Sequence, residues 1–371
     1  MTRAHFKTLY DGLPRPSNLE ILGKRRPWKA IVRQNIGLET ASKKLCSVIL
    51  LLALVAAPCS NASGWNETGH WLIACIAYDS MSAELRSELV KTIRSHERFQ
   101  QDFLEAMPRS VRAADKATED KWIFLRAAVW PDVARGFDDD GKRRFHRSRW
   151  HYVNRPVFLS AADRVLLAGA GDQALSLPAD YDEHDLNVAQ AFERSVAIFR
   201  DRRNSPRQRA IHLCWILHLA GDMHQPLHAG SLFTPGRFRE SDRGGNLIPV
   251  GPEQSLHGLW DGLLGKDKTT QEVSAAAFRL AHDARRQRCV RAASRELDWK
   301  KWLAESQRLA DENVYNDAIR DTVSQFERKR DDSLPLIKLS DDYLANARRL
   351  AKNQVLLGGL RLKGVLEQAD D

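Results

Sequence analysis

Closely spaced cysteines are the first thing this sequence lacks. The chain has five cysteines in 371 residues, and none has Cys-x-x-Cys spacing. Any zinc would therefore have to be bound by histidine and aspartate rather than by paired thiolates. Two cysteines, Cys46 and Cys59, precede the mature chain predicted below. Cys75, Cys214 and Cys289 remain, which allows one disulfide with a free thiol, or no disulfide.

An excess of one charge is also missing once the first 64 residues are set aside. The whole chain has a net charge of +9, which by itself would favour a polyanionic partner. Residues 1–64 contain ten of the Lys and Arg residues and only three of the Asp and Glu residues, so the remainder has a net charge of +2. Bulk charge therefore gives no support for a polyanionic substrate.

The one long apolar run is too short to span a bilayer comfortably. Residues 45–57 follow a pair of lysines and match the apolar core of a signal peptide. Small residues at 62–64 offer a cleavage site. We therefore predict that residues 1–64 are an N-terminal leader with a signal peptide and that Trp65 is the mature N-terminus. The protein would then be secreted or periplasmic, with no membrane span after processing, and a retained anchor is the alternative.

Alternating apolar and polar runs, internal repeats and low-complexity linkers are absent after Trp65, which disfavours a β-sheet protein. Apolar residues recur instead at helical spacing, and 43% hydrophobic with 28% charged residues suits a globular core. The pattern predicts helices over 69–81, 187–200, 206–222, 273–295, 299–326 and 340–366. Loops are expected at 136–148, 156–184 and 230–254. We predict a single all-α, multi-helix domain over residues 65–366.

What the chain does contain is a concentration of metal-binding side chains. The segment His218-Leu-Ala-Gly-Asp222-Met-His224-Gln-Pro-Leu-His228 places three imidazoles and a carboxylate within eleven residues. His257 and Asp261 repeat the His-x-x-x-Asp spacing. Residues four apart on a helix share one face, with Cβ atoms about 5–6 Å apart, so each pair can bind one metal ion. Pro226 is expected to end the first helix and to leave His228 in the turn beyond it.

These ligands exceed the number that one zinc ion needs, which predicts a second ion and further ligands elsewhere in the chain. Taken alone, the other candidates have common alternative roles. His151 would more often be a hydrogen-bonded core histidine, Asp132 an N-cap, and His70 a helix cap. Their coincidence with the cluster favours the metal-binding role. We place His224 outside the metal set, as support for the ligands or for the turn at Pro226.

Short motifs occur in order along the predicted domain: Trp65 with His70, Trp-Pro-Asp132-Val-Ala-Arg135, His151-Tyr-Val-Asn154, the segment from His218 to His228, Gly244-Gly245-Asn246, Leu-His257-Gly-Leu-Trp-Asp261 and Gly358-Gly359-Leu-Arg361-Leu362. Together they resemble the S1/P1 nuclease family over essentially all of residues 65–366. Members of that family are secreted, zinc-dependent, single-strand nucleases and 3′-nucleotidases. Their helical fold is shared with bacterial zinc phospholipase C, so the resemblance implies this fold here.

The resemblance also implies three zinc ions (Zn2+) per chain. The first would be bound by Asp132, His151, His218 and Asp222. The second would be bound by His228, His257 and Asp261. The third would be bound by His70, by Asp222 as a bridge, and by the amine and carbonyl of Trp65. That last site requires a free N-terminus, because an amide nitrogen cannot act as an amine ligand.

By the same resemblance, the enzyme hydrolyses single-stranded DNA and RNA to 5′-phosphorylated products and also hydrolyses 3′-nucleotides. A water between two zinc ions would attack phosphorus in line, while the third zinc and Arg135 stabilise the developing charge. Asp132 and Arg135 are the predicted catalytic residues. Tyr152 is expected to stack on a nucleobase, with core packing as the alternative. Asn154 stands where the fungal enzymes carry an aspartate that reads the base edge, and its amide offers both a donor and an acceptor.

Two other function classes would use the same ligands. A zinc-dependent phospholipase C acting on lipid headgroups would share the metal set but need a different pocket. Tyr152, Asn154 and the Asp132–Arg135 segment favour the nuclease over it. A non-catalytic zinc-binding protein would take up zinc without hydrolysing any phosphoester. We expect a monomer with no stable protein partner.

Overall fold

Helices make up most of the computed structural model, which describes residues 65–286, 288–329 and 333–370. With 65% helix and 4% strand, it confirms the predicted all-α class. The predicted leader, with its apolar core at 45–57, lies outside the described residues. Across the described part of the chain, no helix combines the length and the apolar character needed to cross a membrane.

The first half of the fold ends at the long helix that carries the His218–Asp222 pair. Its elements are α1 (Glu67–Ser80), α2 (Ala83–Ile93), α3 (Arg109–Arg112), α4 (Lys116–Val133), α5 (Asp139–Phe145), β1 (Arg155–Phe158), α6 (Ala161–Leu166), α7 (Val188–Arg200) and α8 (Pro206–Asp222). Single turns of 3-10 helix occupy Ala134–Gly136, Ser148–His151 and Glu183–Asp185, and a π-helical turn occupies Phe99–Leu104.

The second half begins with short elements and ends with long helices. Its elements are α9 (Pro226–Ala229), β2 (Gly230–Phe233), β3 (Pro249–Gly251), β4 (Gln254–Ser255), α10 (Leu256–Asp261), α11 (Thr270–Arg286), α12 (Arg288–Ala293), α13 (Trp299–Leu309), α14 (Asp317–Lys329) and α15 (Asp341–Asp370). A π-helical turn, Ala310–Val314, follows α13.

Local sequence explains where the helices that position the site begin. Ser205 and Gln208 form a capping box at the start of α8, with Pro206 at the first helical position, where its missing N–H costs nothing. Asn66 caps α1 by accepting a hydrogen bond from the Gly69 amide. Both helices therefore start at residues that satisfy their first unpaired amides.

The end of α8 lies where the sequence predicted it, but Pro226 has a different role. The helix stops at Asp222, and Pro226 opens α9 rather than ending α8. Gln225 caps α9 through a hydrogen bond from the Leu227 amide to its side chain. His228 consequently lies on a helical turn with fixed geometry rather than in an irregular loop.

The three predicted loops were wrong in part, because each contains short elements. The first contains α5, which Asp138 caps by accepting from the Gly141 amide. The second contains β1 and α6, and the third contains β2 and β3. These elements are seven residues or shorter, too short to produce a clear hydrophobic period.

Two small sheets complete the described fold. β1 and β2 pair in parallel, with Arg155 opposite Gly230 and Phe158 opposite Phe233. β3 and β4 form an antiparallel pair. In β1 and β2, each strand starts a few residues after a predicted metal ligand, so the pair runs away from the site on one side.

Among the described residues, the core consists of two apolar clusters. The larger packs α1, α4, α7, α8 and the end of α15 and includes the buried Trp65 and Trp215. The smaller packs β2, α10 and α14 and includes Trp260. Leu227 belongs to the smaller cluster and Ala229 to the larger, so His228 between them stands at the junction of the two.

Candidate metal centre

Six separate segments bring the predicted ligand side chains together at this junction. The carriers are α1 (His70), α4 (Asp132), the turn before β1 (His151), α8 (His218, Asp222), α9 (His228) and α10 (His257, Asp261). Their ligand-type atoms form three groups, each within 4.8 Å: His70 with His218 and Asp222; Asp132 with His151 and His218; His228 with His257 and Asp261. All are buried except Asp132, which is 19% exposed.

Backbone carbonyls orient three of the imidazoles. His218 Nδ1 donates to the Ala128 carbonyl over 2.8 Å, and His228 Nδ1 donates to the His151 carbonyl over 2.5 Å. His257 Nδ1 donates to the Gly244 carbonyl over 2.7 Å. Because a neutral imidazole has one N–H, each Nε2 carries a lone pair, and these lone pairs point into the site.

Several lone pairs consequently face each other at short range. His228 Nε2 lies 3.2 Å from His257 Nε2, although both Nδ1 atoms already carry the ring proton. Two such acceptors repel each other unless a cation or an extra proton lies between them. The paired nitrogens therefore form a site that a metal ion would stabilise.

The distances between donor atoms also suit a tetrahedral ion. With metal–ligand bonds of about 2.0–2.1 Å, two ligands on one tetrahedral zinc lie about 3.3 Å apart. His257 Nε2 lies 3.4 Å from Asp261 Oδ2, and His218 Nε2 lies 3.3 Å from Asp222 Oδ2. His70 Nε2 lies 3.6 Å from Asp222 Oδ1. The His-x-x-x-Asp pairs thus have the separation of two ligands on one ion.

Asp222 stands between two of the groups. Its Oδ2 lies 3.0 Å from His151 Nδ1, while its Oδ1 faces His70. This is the position of a bridging carboxylate. His218 belongs to two groups but has only Nε2 left as a ligand atom, so one of these groups needs a ligand from elsewhere.

The predicted source of that ligand is the backbone of Trp65. Trp65 is fully buried, and the next amide, Asn66 N, donates to the Asp261 carbonyl over 3.4 Å. The start of the predicted mature chain therefore lies against the end of α10, beside a metal-ligand candidate. The amine-ligand role of Trp65 stays a prediction.

Buried polar atoms without hydrogen bonds are concentrated in the site. Both ring nitrogens of His70, His151 Nε2 and Asp222 Oδ1 have no hydrogen-bond partner within the described residues. A buried polar group left unpaired costs about 1–3 kcal/mol. Their imidazole and carboxylate chemistry fits a metal ion that would satisfy them.

Burial sets the protonation states of the site. It lowers the pKa of His70, His151 and His228 well below the usual range, and neighbouring His and Arg135 charges add to the effect. These imidazoles are neutral at pH 7, the form that binds metal. Burial also raises the pKa of Asp222 to about 6 and that of Asp261 well above its usual value. For His218, burial lowers the pKa but Asp222 and Asp132 outweigh it, so the pKa is raised.

Comparison with known proteins identifies the family of the chain. A model of the family described as S1/P1 Nuclease matches residues 65–370. The chain belongs to the S1/P1 nuclease family. It is also similar to "Endonuclease 1" of Arabidopsis thaliana, with 25% identity over 231 residues. That alignment covers 58% of this chain and 58% of the plant protein, so the chain spans less than two thirds of that relative.

In this S1/P1 nuclease-family chain, the two predicted catalytic residues lie at the partly exposed edge of the candidate metal centre. Arg135 Nη2 forms an ion pair with Asp132 Oδ1 over 2.9 Å, and their side chains are 17% and 19% exposed. Asp132 Oδ1 also lies 3.7 Å from His218 Nε2. Arg135 is therefore a partly accessible cation at the edge of a buried cluster.

The two predicted substrate-binding residues lie just beyond His151. Tyr152 and Asn154 are both half-buried. Asn154 Oδ1 accepts a hydrogen bond from Ser231 Oγ over 2.9 Å, and Ser231 Oγ accepts one from the Gly244 amide over 3.0 Å. This chain of bonds links Asn154 to the same glycine whose carbonyl orients His257.

The S1/P1 nuclease-family motifs contain positioning residues whose roles we did not predict. Gln225 is fully buried, and its Nε2 donates to Asp261 Oδ1 over 2.7 Å. Gly244 has φ +60°, and a Cβ there would lie 2.3 Å from the Leu227 carbonyl, so only glycine fits beside His257. The sequence signal for Gln225 was its position directly before Pro226, where N-caps occur.

His224, which we placed outside the metal set, is held by hydrogen bonds between the candidate ligands Asp222 and His228. Its Nδ1 donates to the Ala220 carbonyl over 2.7 Å, and its Nε2 accepts from Arg361 over 3.1 Å. Arg361 is fully buried on α15 and also forms an ion pair with Glu305. These contacts fix the link between Asp222 and His228.

Proposed function

We propose that this chain is a secreted or periplasmic, zinc-dependent nuclease that cleaves single-stranded DNA and RNA and also hydrolyses 3′-nucleotides. One observation carries the proposal above all. Buried nitrogen and oxygen donors lie at the separations expected for ligands of a tetrahedral ion, in adjoining groups, beneath a partly exposed arginine. Membership of the S1/P1 nuclease family supports the same activity.

Zinc is the ion that this donor set favours, because imidazole nitrogen and carboxylate oxygen at these separations suit a tetrahedral shell. The residues that would bind three ions are Trp65, His70, Asp132, His151, His218, Asp222, His228, His257 and Asp261. When bound, zinc would supply Lewis-acid charge and a water whose pKa falls to about 7.

The side chains around the metal groups would orient the substrate. Arg135 would bind a non-bridging oxygen of the phosphate and stabilise its growing charge, and Asp132 keeps the guanidinium at the mouth. Tyr152 would stack on the base next to that phosphate, which an unpaired strand allows and a stacked duplex does not. Asn154 would contact the edge of the same base.

The direct test gives the purified mature protein three substrates in parallel: single-stranded DNA, duplex DNA and phosphatidylcholine vesicles. We expect rapid cleavage of the single strand, slow cleavage of the duplex and no lipid turnover. A chelator should abolish the cleavage and zinc should restore it. Lipid turnover without cleavage of nucleic acid would identify a phospholipase C instead. Tight zinc uptake with no hydrolysis of any phosphoester would identify a zinc-binding protein.

A further inference from the structure

A cleft lined by arginines opens beside β1, outside the metal groups. Its volume is about 550 Å3. One wall is the end of α13, and the other is the segment that follows α6. The cleft contains three cationic side chains, Arg155, Arg164 and Arg308.

The cleft begins close to the metal centre. Arg155 is the first residue of β1 and directly follows Asn154, and its partner in the sheet is Gly230, two residues after His228. Neighbouring strands lie about 4.8 Å apart. Arg155 therefore follows one metal-ligand candidate, His151, by four residues. Its sheet partner follows another, His228, by two residues.

Close packing fixes the walls of the cleft. Gln307 on α13 donates to the Pro156 carbonyl of β1 over 2.9 Å. Gly230 allows this approach, because a Cβ there would lie 2.8 Å from the Ala310 side chain. On the other side, a Cβ at Gly171 would lie 2.8 Å from the Asn154 carbonyl. The cleft is thus built on the same backbone that carries Asn154.

No carboxylate in the part of the chain that the structure describes is bound to these three arginines. Within the described residues, none of their guanidinium groups forms an ion pair or a hydrogen bond. Arg164 packs over the Phe158 ring at 5.5 Å, while Arg308 is exposed and Arg155 is half-buried. Burial lowers the pKa of Arg155, and Asp172 offsets part of that effect. Arg155 is therefore partly desolvated without a bound partner.

The acidic residues in the lining do not neutralise this charge. Asp311 is already bound to Arg320 over 2.5 Å. Asp172 is the remaining carboxylate of the lining. Since one free carboxylate faces three cations, the cleft attracts anions.

We propose that this cleft binds the backbone phosphates of a single-stranded substrate beyond the nucleotide at Tyr152 and Asn154. The inference rests on the proposed nuclease function and deepens it, because it makes the enzyme selective for chains over mononucleotides. Arginine suits this role, since its planar fork binds phosphate oxygens in pairs. A mononucleotide at the metal centre would not extend to Arg164 and Arg308, whereas an oligonucleotide would.

The test is the combined variant Arg155→Gln, Arg164→Gln, Arg308→Gln, assayed on an oligonucleotide and on a 3′-mononucleotide. We expect the ratio of the two kcat/KM values to fall on the order of ten-fold at low salt. The slope of log affinity against log salt concentration is the salt slope. Each lost phosphate contact on a single strand reduces it by about 0.7, so the three substitutions should reduce it by about 2.

Two further variants make the result specific. Arg207→Gln removes an exposed arginine at the far end of α8, about 22 Å along the helix from Asp222, and should leave the ratio and the slope unchanged. Asp172→Asn removes the free carboxylate and should strengthen oligonucleotide binding. If the combined variant fails to fold, the double variant of the exposed Arg164 and Arg308 replaces it.

A binding assay distinguishes failure of this inference from failure of the proposed function. A fluorescent phosphorothioate strand of about twelve nucleotides is titrated into the zinc-loaded protein. Wild-type affinity and salt slope in the arginine variants would overturn the cleft assignment, even with an active nuclease. Weakened binding would support the cleft. Failure of the wild type to cleave any nucleic acid would overturn the nuclease proposal instead.

Discussion

Replacing Asp222 with asparagine should remove two metal ions while stabilising the metal-free protein. Its Oδ2 faces His151 and His218, and its Oδ1 faces His70, so one carboxylate serves two groups. An amide keeps the volume but loses the anionic ligand. We expect bound zinc to fall from three ions per chain to one, retained by His228, His257 and Asp261.

The stabilisation follows from the pKa of the same group. Burial raises the pKa of Asp222 from 3.8 to about 6, which is about 3 kcal/mol of unfavourable ionisation at neutral pH. When folding raises the pKa of a carboxyl group, the free energy of unfolding falls as the pH rises from the pKa of the unfolded state to that of the folded state. The metal-free Asn variant should therefore unfold at higher denaturant concentration than metal-free wild type at pH 7. The difference should disappear below about pH 4.

Metal analysis by mass spectrometry and denaturant unfolding of the chelated protein are the two assays. Asp102→Asn is the matched control, because Asp102 is a buried aspartate bound to Arg98 and to the Trp130 indole N–H. It should lower stability and keep all the zinc. Loss of a single ion from Asp222→Asn would refute the bridging role, and lower stability of its metal-free form would refute the ionisation argument.

Three other predictions concern the N-terminus, base choice and acid stability. A mature chain with one extra residue before Trp65 should bind one zinc fewer than the chain that begins at Trp65, because its Trp65 nitrogen is an amide. Native mass spectrometry counts the bound zinc, and equal counts in the two chains would reject the amine ligand. Asn154→Asp should shift base preference by about five-fold, since a hydrogen bond contributes about 1 kcal/mol. The change replaces the Nδ2 donor with an acceptor, while Ser231 keeps its bond to Oδ1. Unchanged kcat/KM ratios across the four 3′-nucleotides would contradict this. Burial lowers the pKa of His212 to about 3, so the folded protein loses stability as the pH falls below about 6.5 and the unfolded chain takes up the proton. His212→Gln should therefore reduce the slope of the unfolding free energy against pH by about 1.4 kcal/mol per pH unit in this range. Unfolding curves between pH 6 and pH 4 measure this slope, and an unaltered slope would count against the prediction.

The spacing of residues on helices made two of the candidate ligand pairs predictable. His218 and Asp222 lie four apart on α8, and His257 and Asp261 lie four apart on α10, so each pair had to share a face. Residues 65–366 showed helical spacing almost throughout, and the all-α class followed from it. Asp132 and His151 were weaker candidates, because neither has a ligand partner at helical spacing, and their ligand set came from the family resemblance.

Contacts that depend on tertiary structure could not be predicted from the sequence. The carbonyls of Ala128, His151 and Gly244 orient the imidazoles, and any residue type supplies a carbonyl. Gln225 binds Asp261 across 36 positions of sequence, which no local pattern encodes. Pro226 was assigned to the wrong end of a helix, because proline suits both the residue after a helix and the first turn of the next one.

The segments around His151 and His228 are tied by reciprocal main-chain bonds. His228 Nδ1 donates to the His151 carbonyl, and the Val153 amide donates to the His228 carbonyl over 2.8 Å. The spacing between the candidate ligands His151 and His228 is therefore dictated by peptide groups more than by flexible side chains. An ion of different radius would have to adapt to this frame, so substituting the metal should change reactivity before it changes the architecture.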